Sequence, residues 1–99
     1  RTTKPIKTLT MPNTKVLKFS AAWCLPCRSI APIFEQLKKE FPSIEFRDID
    51  IDTEEAQSLI AKYGVRNIPL VVLENDDKTV RLAGVKSRQE YETALQEFV

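Results

Sequence analysis

The segment Phe19–Phe34, with the sequence FSAAWCLPCRSIAPIF, contains both cysteines of the chain. It joins the end of an apolar strand to the start of an amphipathic helix. Within it, Cys24 and Cys27 are three positions apart and enclose a leucine and a proline. Such a pair can bind a metal ion, form a structural disulfide, lie reduced in the core or act as a redox couple, and the surrounding sequence helps to distinguish these possibilities.

A zinc site is the first alternative for the two cysteines. Structural zinc sites normally take four Cys or His ligands, whereas this chain has two cysteines and no histidine. A zinc site would therefore need a second chain, and we predict no metal. The absence of histidine also excludes nucleophiles that depend on a Cys–His or Ser–His pair.

The two structural alternatives are a stabilising disulfide and a pair of reduced cysteines in the core. A disulfide between Cys24 and Cys27 would close a very short loop and remove little entropy from the unfolded chain. Reduced cysteines are often buried, since the thiol behaves as a small apolar group. Cys24, however, is predicted to lie between the end of a strand and the start of a helix, a position that is seldom buried.

The position of Cys24 before a predicted helix favours redox chemistry. A helix N-terminus presents unpaired N–H groups and the positive end of the helix dipole, both of which stabilise a thiolate. Cys27 follows by almost one turn and can displace a partner from a mixed disulfide, while Pro26 holds the first turn in place. We therefore predict that Cys24 is the nucleophile and the more exposed thiol, and that Cys27 is the resolving cysteine.

Hydrophobic patterning outside this segment predicts alternating strands and helices. Strands are predicted at Lys15–Ser20, Ile44–Ile51, Leu70–Glu74 and Thr79–Ala83. Three helices present apolar faces: Ile30, Ile33, Phe34, Leu37 and Phe41 in the first, Ala56, Leu59, Ile60 and Tyr63 in the second, and Tyr91, Ala94, Leu95 and Phe98 in the third. Asp52 and Thr53 are candidate caps for the second helix, Gly64 ends it, and Ser87–Glu90 is a capping box for the third.

The resulting order, β-α-β-α-β-β-α, predicts an α/β fold. Two crossovers through helices predict parallel strands, and the turn NDDK predicts one antiparallel pair. We expect a mixed four-stranded sheet with helices on both faces. The length of 99 residues suits a single domain over residues 1–99.

Composition excludes several classes of function. Hydrophobic residues make up 42% and charged residues 29% of the chain, and the net charge is +1 with both signs interspersed. We therefore expect no nucleic-acid partner and no binding to an anionic membrane. No apolar run is long enough to span a bilayer, and RTTKPIKTLT lacks the apolar core of a signal peptide. These features lead us to expect a cytoplasmic monomer.

The sequence around the cysteines resembles the thioredoxin family. WCLPC is similar to the usual Trp-Cys-Gly-Pro-Cys of that family, with Leu25 in place of the glycine. Pro32 matches the proline that kinks the family's second helix, KYGVRNIP at Lys62–Pro69 matches the stretch before its cis-proline loop, and Gly84 matches a glycine after its last strand. The resemblance covers residues 14–99.

This resemblance implies a substrate-binding surface around Cys24. The bond before Pro69 is expected to be cis, which would place the backbone of Ile68 beside the cysteines, where it could pair with a substrate peptide. The simpler alternative is that Pro69 only begins a strand. An apolar patch suited to flexible substrates is expected from Trp23, Leu25, Pro26, Ile68, Pro69 and Val85.

Two charged positions depart from the family pattern. Lys18 stands where the family has a buried aspartate, and Asp48 stands where it has a lysine on the adjacent strand. We interpret this as an exchanged pair that lies beneath the cysteines and assists proton transfer at Cys27. The alternative is that both are solvated surface charges, although Lys18 interrupts an otherwise apolar strand.

The N-terminal segment is a further departure. Residues 1–13 are too few for the strand and helix that precede this region in full-length thioredoxins, because a crossover needs a dozen or more residues. Ile6–Thr10 could add an edge strand, and the helix is expected to be missing.

The resemblance implies a protein-disulfide oxidoreductase without a bound cofactor. Its substrates would be disulfide-containing proteins, and a separate reductase, an NADPH-dependent flavoprotein, would recycle it. A glutaredoxin-like enzyme recycled by glutathione is one alternative, against which Trp23 and Leu25 argue. A thioredoxin-like binding subunit that docks a partner without turnover is the other.

Overall fold

The computed structural model of the protein describes residues 14–98. It contains four strands and three helices in the predicted order. The strands are β1 (Lys15–Ser20), β2 (Glu45–Asp50), β3 (Leu70–Glu74) and β4 (Thr79–Ala83), and the helices are α1 (Leu25–Glu40), α2 (Ala56–Tyr63) and α3 (Arg88–Gln96). The edge strand expected at Ile6–Thr10, with the rest of residues 1–13, lies outside the described residues.

The four strands form one mixed sheet in the order β2-β1-β3-β4. β1 and β2 are parallel, with partners running from Lys15 and Glu45 to Ser20 and Asp50. β3 is antiparallel to β1, and β4 is antiparallel to β3. The predicted α/β class and the mixed four-stranded sheet are therefore confirmed.

The prediction that both helical crossovers join parallel strands is wrong for the second one. Asp50 at the end of β2 pairs with Ser20, and Leu70 at the start of β3 pairs with Phe19. The chain thus leaves β2 and enters β3 at the same end of the sheet. Since the eight residues of α2 rise only about 12 Å, whereas a six-residue strand is about 20 Å long, α2 does not return the chain to the opposite end.

The sheet separates two apolar cores, because successive side chains of a strand point to opposite faces. One core lies between the sheet and helices α1 and α3, and its buried members are Val16, Ile30, Phe34, Leu37, Ile44, Val71, Leu73, Tyr91, Leu95 and Phe98. The other lies under α2 and is formed by Leu17, Phe19, Ile49, Ala56, Leu70 and Val72. Helices therefore cover both faces, as predicted.

The ends of the two shorter helices, α2 and α3, can be compared with the capping residues predicted from the sequence. Gly64 ends α2 with a positive φ of 61°, the left-handed conformation that glycine adopts readily. The expected cap at Asp52 or Thr53 is wrong, because α2 begins after Glu55 and that residue makes no side-chain capping bond. The capping box before α3 is confirmed: Glu90 N–H donates to Ser87 Oγ at 3.1 Å, and Ser87 N–H donates to Glu90 Oε1 at 2.9 Å.

Replacing the capping serine should destabilise the fold. We expect Ser87→Ala to lower the free energy of unfolding by about 1 kcal/mol, because the Glu90 N–H loses its acceptor. Urea denaturation followed by far-UV circular dichroism measures the change. Ser58→Ala is the matched control, since Ser58 is exposed within α2 and alanine is the better helix former, so it should be neutral or stabilising.

The stabilisation by the capping box should also depend on pH. The backbone hydrogen bond from Ser87, followed by the Ser87 side chain, lowers the pKa of Glu90 below its ordinary value of 4.5. A carboxyl whose pKa is lower in the folded state stabilises the fold above its unfolded pKa, and this contribution disappears as the pH falls through the folded pKa. The native protein and Glu90→Gln should therefore differ less in their free energy of unfolding below pH 4.5 than at neutral pH. A difference that stays constant down to pH 2 would contradict this origin.

Candidate active site

The two cysteines lie where β1 ends and α1 begins. β1 ends at Ser20, and Cys24 is the residue that caps α1, in an extended conformation with φ −90° and ψ 104°. Because Phe19 pairs with Leu70, the residues that precede β3 lie beside the residues that follow β1. The cysteines, the end of β2 and the loop before β3 therefore share one end of the sheet.

Cys24 and Cys27 form a disulfide, and their Cα atoms are 5.3 Å apart. The backbone N–H of Cys27 donates a hydrogen bond to Cys24 Sγ at 3.1 Å. That bond and the helix N-terminus direct positive electrostatic potential at Cys24 Sγ, which stabilises a thiolate there when the disulfide is reduced. The two sulfurs thus differ in their surroundings, as their order in the sequence predicts.

The prediction that Cys24 is the more exposed cysteine is wrong for this oxidised form. Each cysteine is 4% exposed. The pair forms a small apolar cluster with Ala21, and Ile51 and Ile68 pack against that cluster. Contact with the ends of two neighbouring loops buries Cys24, which the local sequence around a helix start does not reveal.

The Ile68–Pro69 peptide bond is cis, as the resemblance implied. Pro69 is fully buried, and its carbonyl accepts a hydrogen bond from Gly84 N–H at 2.9 Å. Ile68 is half-buried against the cysteine cluster, and among residues 14–98 no hydrogen bond involves its N–H or C=O. A free stretch of backbone therefore lies beside the disulfide, whereas Pro69 does not belong to the exposed apolar patch in which the sequence placed it.

Four of the larger apolar residues at this end of the sheet are exposed. Trp23 is 64% exposed, Leu25 69% and Val85 53%, and Pro26 is also exposed. Val85 lies at this end because its neighbour Gly84 is hydrogen-bonded to Pro69. We call Trp23, Leu25, Pro26 and Val85 the apolar rim.

Asp52 fixes the largest side chain of the apolar rim. Trp23 Nε1 donates to Asp52 Oδ2 at 2.9 Å. The sequence pattern predicted Asp52 as a helix cap and did not indicate this contact. The available signal was an acidic residue two positions after the end of β2. Because β1 and β2 are parallel, their ends lie side by side, and so do the residues that follow them.

Lys18 and Asp48 are direct partners across β1 and β2. Lys18 Nζ lies 3.4 Å from Asp48 Oδ1, so the expected contact between the two is present. Lys18 is 8% exposed, and its ammonium lies 5.3 Å from the centre of the Phe34 ring, within the range of a cation–π interaction. Phe34 follows Cys27 by seven residues on the buried face of α1, about 10 Å along the helix.

The carboxylate of Asp48 has a second cationic partner, which the sequence pattern did not predict. Lys38 Nζ lies 3.4 Å from Asp48 Oδ2 and 3.3 Å from Glu35 Oε2. Burial alone would lower the pKa of Lys38, but the attraction of Asp48 and the hydrogen bond to Glu35 outweigh it, so the pKa lies above its ordinary value. Lys18, Asp48, Lys38 and Glu35 thus form one chain of alternating charges.

Among residues 14–98, no group of three or more His, Cys, Asp or Glu side chains is arranged to hold a metal ion. No helix within the same residues has the length and hydropathy needed to cross a membrane.

The known proteins that this chain resembles include thioredoxins. The family model for thioredoxin matches residues 6–97. Thioredoxin H5 of Oryza sativa subsp. japonica is 42% identical over 73 residues, which are 73% of this chain and 53% of that protein. Thioredoxin M4, chloroplastic, of Arabidopsis thaliana is 33% identical over 85 residues, which are 85% of this chain and 44% of that protein. The chain thus spans about half the length of these two curated relatives.

The X-ray structure of Fasciola hepatica thioredoxin has a similar fold, with a TM-score of 0.78 and 33% sequence identity. The similarity covers 96% of this chain and 89% of that one. The match of the family model to residues 6–97, taken with the disulfide at the start of α1 and the cis bond beside it, shows that the chain belongs to the thioredoxin family.

Proposed function

We propose that the protein is a thiol–disulfide oxidoreductase that reduces disulfides in protein substrates. The observation that carries the proposal is the Cys24–Cys27 disulfide at the N-terminus of α1, with the Cys27 N–H directed at Cys24 Sγ. The surroundings of the pair suit reversible chemistry better than a structural role, because so short a loop constrains little of the unfolded chain.

In the proposed cycle, the Cys24 thiolate attacks one sulfur of a substrate disulfide. The substrate S–S bond breaks, a mixed disulfide with Cys24 forms, and the first substrate sulfur leaves as a thiolate that takes up a proton. The Cys27 thiol then loses its proton to solvent, and its thiolate attacks Cys24 Sγ. The mixed disulfide breaks, the Cys24–Cys27 bond forms, and the second substrate sulfur leaves as a thiolate that takes up a proton. Two electrons pass from the protein to the substrate, and the protein retains the Cys24–Cys27 disulfide.

Two features beside the disulfide suit the binding of an extended peptide. The unpaired N–H and C=O of Ile68 can form main-chain hydrogen bonds with a substrate strand, as in other cases of strand addition. The apolar rim, with Trp23 held by Asp52, can contact apolar side chains of that strand. We assign Trp23, Leu25, Pro26, Ile68 and Val85 to substrate binding, and Pro69 to the support of Ile68.

Recycling in this proposal falls to a separate reductase, an NADPH-dependent flavoprotein, so the protein itself needs no bound cofactor. The reaction requires a compartment that keeps the dithiol reduced, and we propose the cytoplasm and a monomeric protein. One relative is a chloroplast protein, so family membership is compatible with more than one compartment.

The exposed apolar rim also favours a second candidate function, in which the protein docks a partner without turnover. Exposed apolar surface of this kind often marks a protein-binding site. The two candidates differ in whether the cysteines are required, and a single set of variants distinguishes them.

Replacing either cysteine should abolish turnover in an insulin-type disulfide reduction assay with dithiothreitol as the reductant. We expect Cys24→Ser to prevent attack. Cys27→Ser, reduced beforehand and freed of dithiothreitol, should accumulate a mixed disulfide with insulin, because the resolving sulfur is absent. Mass spectrometry of the trapped complex and turbidity of reduced insulin measure the two effects. Ser58→Ala, on the exposed face of α2, is the control and should retain full activity.

Two results would contradict these roles. Undiminished turnover in Cys24→Ser would exclude the proposed cycle, and preferential alkylation of Cys27 in the reduced protein would reverse the two assignments. Retained binding of a partner by both variants, without turnover in the native protein, would support the docking function instead.

We further propose that Lys18 and Asp48 support the resolving step. Lys18 is buried on the face of the sheet that α1 covers, and Cys27 lies on the buried face of the same helix. A positive charge in this interior stabilises the Cys27 thiolate that must form before resolution. Asp48 holds the ammonium in place through the ion pair.

Removal of the Lys18 charge should slow resolution more than attack. The attraction between a buried charge and a nearby thiolate is lost when the charge is removed, so we expect Lys18→Ala to slow resolution severalfold and to change attack by Cys24 less. Single-turnover kinetics from pH 6 to 9 separate the two steps. Lys39→Ala is the control, because Lys39 is exposed near the far end of α1.

Exchange of the two charges tests whether they act as a pair. The double variant Lys18→Asp with Asp48→Lys should retain more activity than either single charge reversal, since each single reversal places like charges on facing residues. Unchanged resolution rates in all of these variants would show that the pair has no part in the reaction.

A further inference from the structure

A cavity of about 240 Å³ lies beside the loop that leads into β3. It is lined by Gly64, Arg66, Asn67, Leu70, Arg81 and Ala83. Protein pockets that hold a cofactor or another small molecule usually measure about 300–1,000 Å³. The size of this cavity therefore suits one side chain or a small ion rather than a cofactor.

Arg81 supplies one positive charge to the cavity. Its guanidinium reaches from β4 to the end of α2 and donates hydrogen bonds to the carbonyl oxygens of Tyr63 and Gly64. A guanidinium has five N–H donors, so these bonds leave others available. The carboxylate of Glu74, on the neighbouring strand, accepts from the Tyr63 hydroxyl, and no carboxylate of residues 14–98 forms an ion pair with Arg81.

Arg66 supplies the second positive charge. Its side chain is exposed, and within the described part of the chain it forms neither a hydrogen bond nor an ion pair. Asn67, which is also exposed, adds an amide group with further donors. Two arginines and an asparagine therefore line one cavity, and neither guanidinium forms an ion pair with a carboxylate among residues 14–98.

The cavity lies next to the proposed substrate path. Asn67 directly precedes Ile68, whose side chain packs against the cysteine cluster and whose backbone N–H and C=O are unpaired. An extended strand advances about 3.3 Å per residue. Because Ile68 packs against the cysteine cluster, a substrate cysteine within reach of Cys24 would lie opposite Ile68 in such a pairing. The substrate residue opposite Arg66 would then lie about two residues from that cysteine.

We infer that this cavity binds a carboxylate of the substrate protein, namely an Asp or Glu side chain about two residues from the cysteine that Cys24 attacks. The inference rests on the proposed function. Guanidinium groups bind carboxylates through paired, charge-assisted hydrogen bonds. The cavity thus makes the protein select, among disulfides of equal reactivity, those with an acidic neighbour.

Two peptides test this selectivity. Each carries one cysteine linked to an uncharged 2-thiopyridyl group and differs from the other only by Glu or Gln two residues from that cysteine. Attack by Cys24 releases the thiopyridyl group, which is followed by absorbance, and Cys27 then releases the peptide. We expect the Glu peptide to react about two- to fivefold faster at low ionic strength, the range of exposed ion pairs, and the advantage to decrease in salt.

The ratio of the two rates is the readout, because general changes in reactivity cancel in it. Arg66→Gln should bring the ratio close to one, and Arg66→Glu should reverse the preference and favour a peptide with Lys at the same position. Lys39→Gln removes the same charge at the far end of α1, about 20 Å along the helix from Cys24, and should leave the ratio unchanged.

Three outcomes have distinct meanings. A ratio that survives Arg66→Gln would overturn the inference, and so would an equal loss in Lys39→Gln, because the selectivity would then come from the net charge. Reaction of neither peptide with the reduced native protein would instead overturn the proposed function on which the inference rests.

Discussion

The pairing of β1 with both of its neighbours determines where the parts of the candidate site lie. β1 is parallel to β2 on one side and antiparallel to β3 on the other. The end of β1, the end of β2 and the start of β3 therefore meet, and each is followed or preceded by one part of the site: the cysteines, Asp52 and Pro69. A shift of one residue in either pairing would exchange the two faces of a strand and separate these groups.

Local signals predicted the elements of the fold well, and contacts between distant segments were predicted poorly. The bounds of β1, β3 and β4 were correct because apolar runs end at clear turn residues, and the capping box of α3 is a local motif. The direction of β3 was wrong because the sequence shows a helix between two strands but not the end of the sheet at which the chain returns. The burial of Cys24 and the role of Asp52 depend on the same arrangement, so both were missed.

The buried lysine shows how a charge is accommodated within an apolar sheet. The hydrocarbon stem of Lys18 can pack within the core while its ammonium reaches Asp48 on the adjacent strand and the face of the Phe34 ring. The sequence resemblance identified Lys18 and Asp48 as an exchanged pair. It did not reveal Lys38 and Glu35, because their positions on α1 match no family motif and their approach to Asp48 depends on how the helix packs against β2.

The side chain of Leu25 lies beside the two cysteines but takes no part in either apolar core. It lies between the two cysteines in the first turn of α1, yet its side chain is 69% exposed. Substitutions of exposed side chains that make neither a capping bond nor a core contact usually change stability by less than about 0.5 kcal/mol. The side chain between the two sulfurs can therefore change in evolution while the scaffold stays intact.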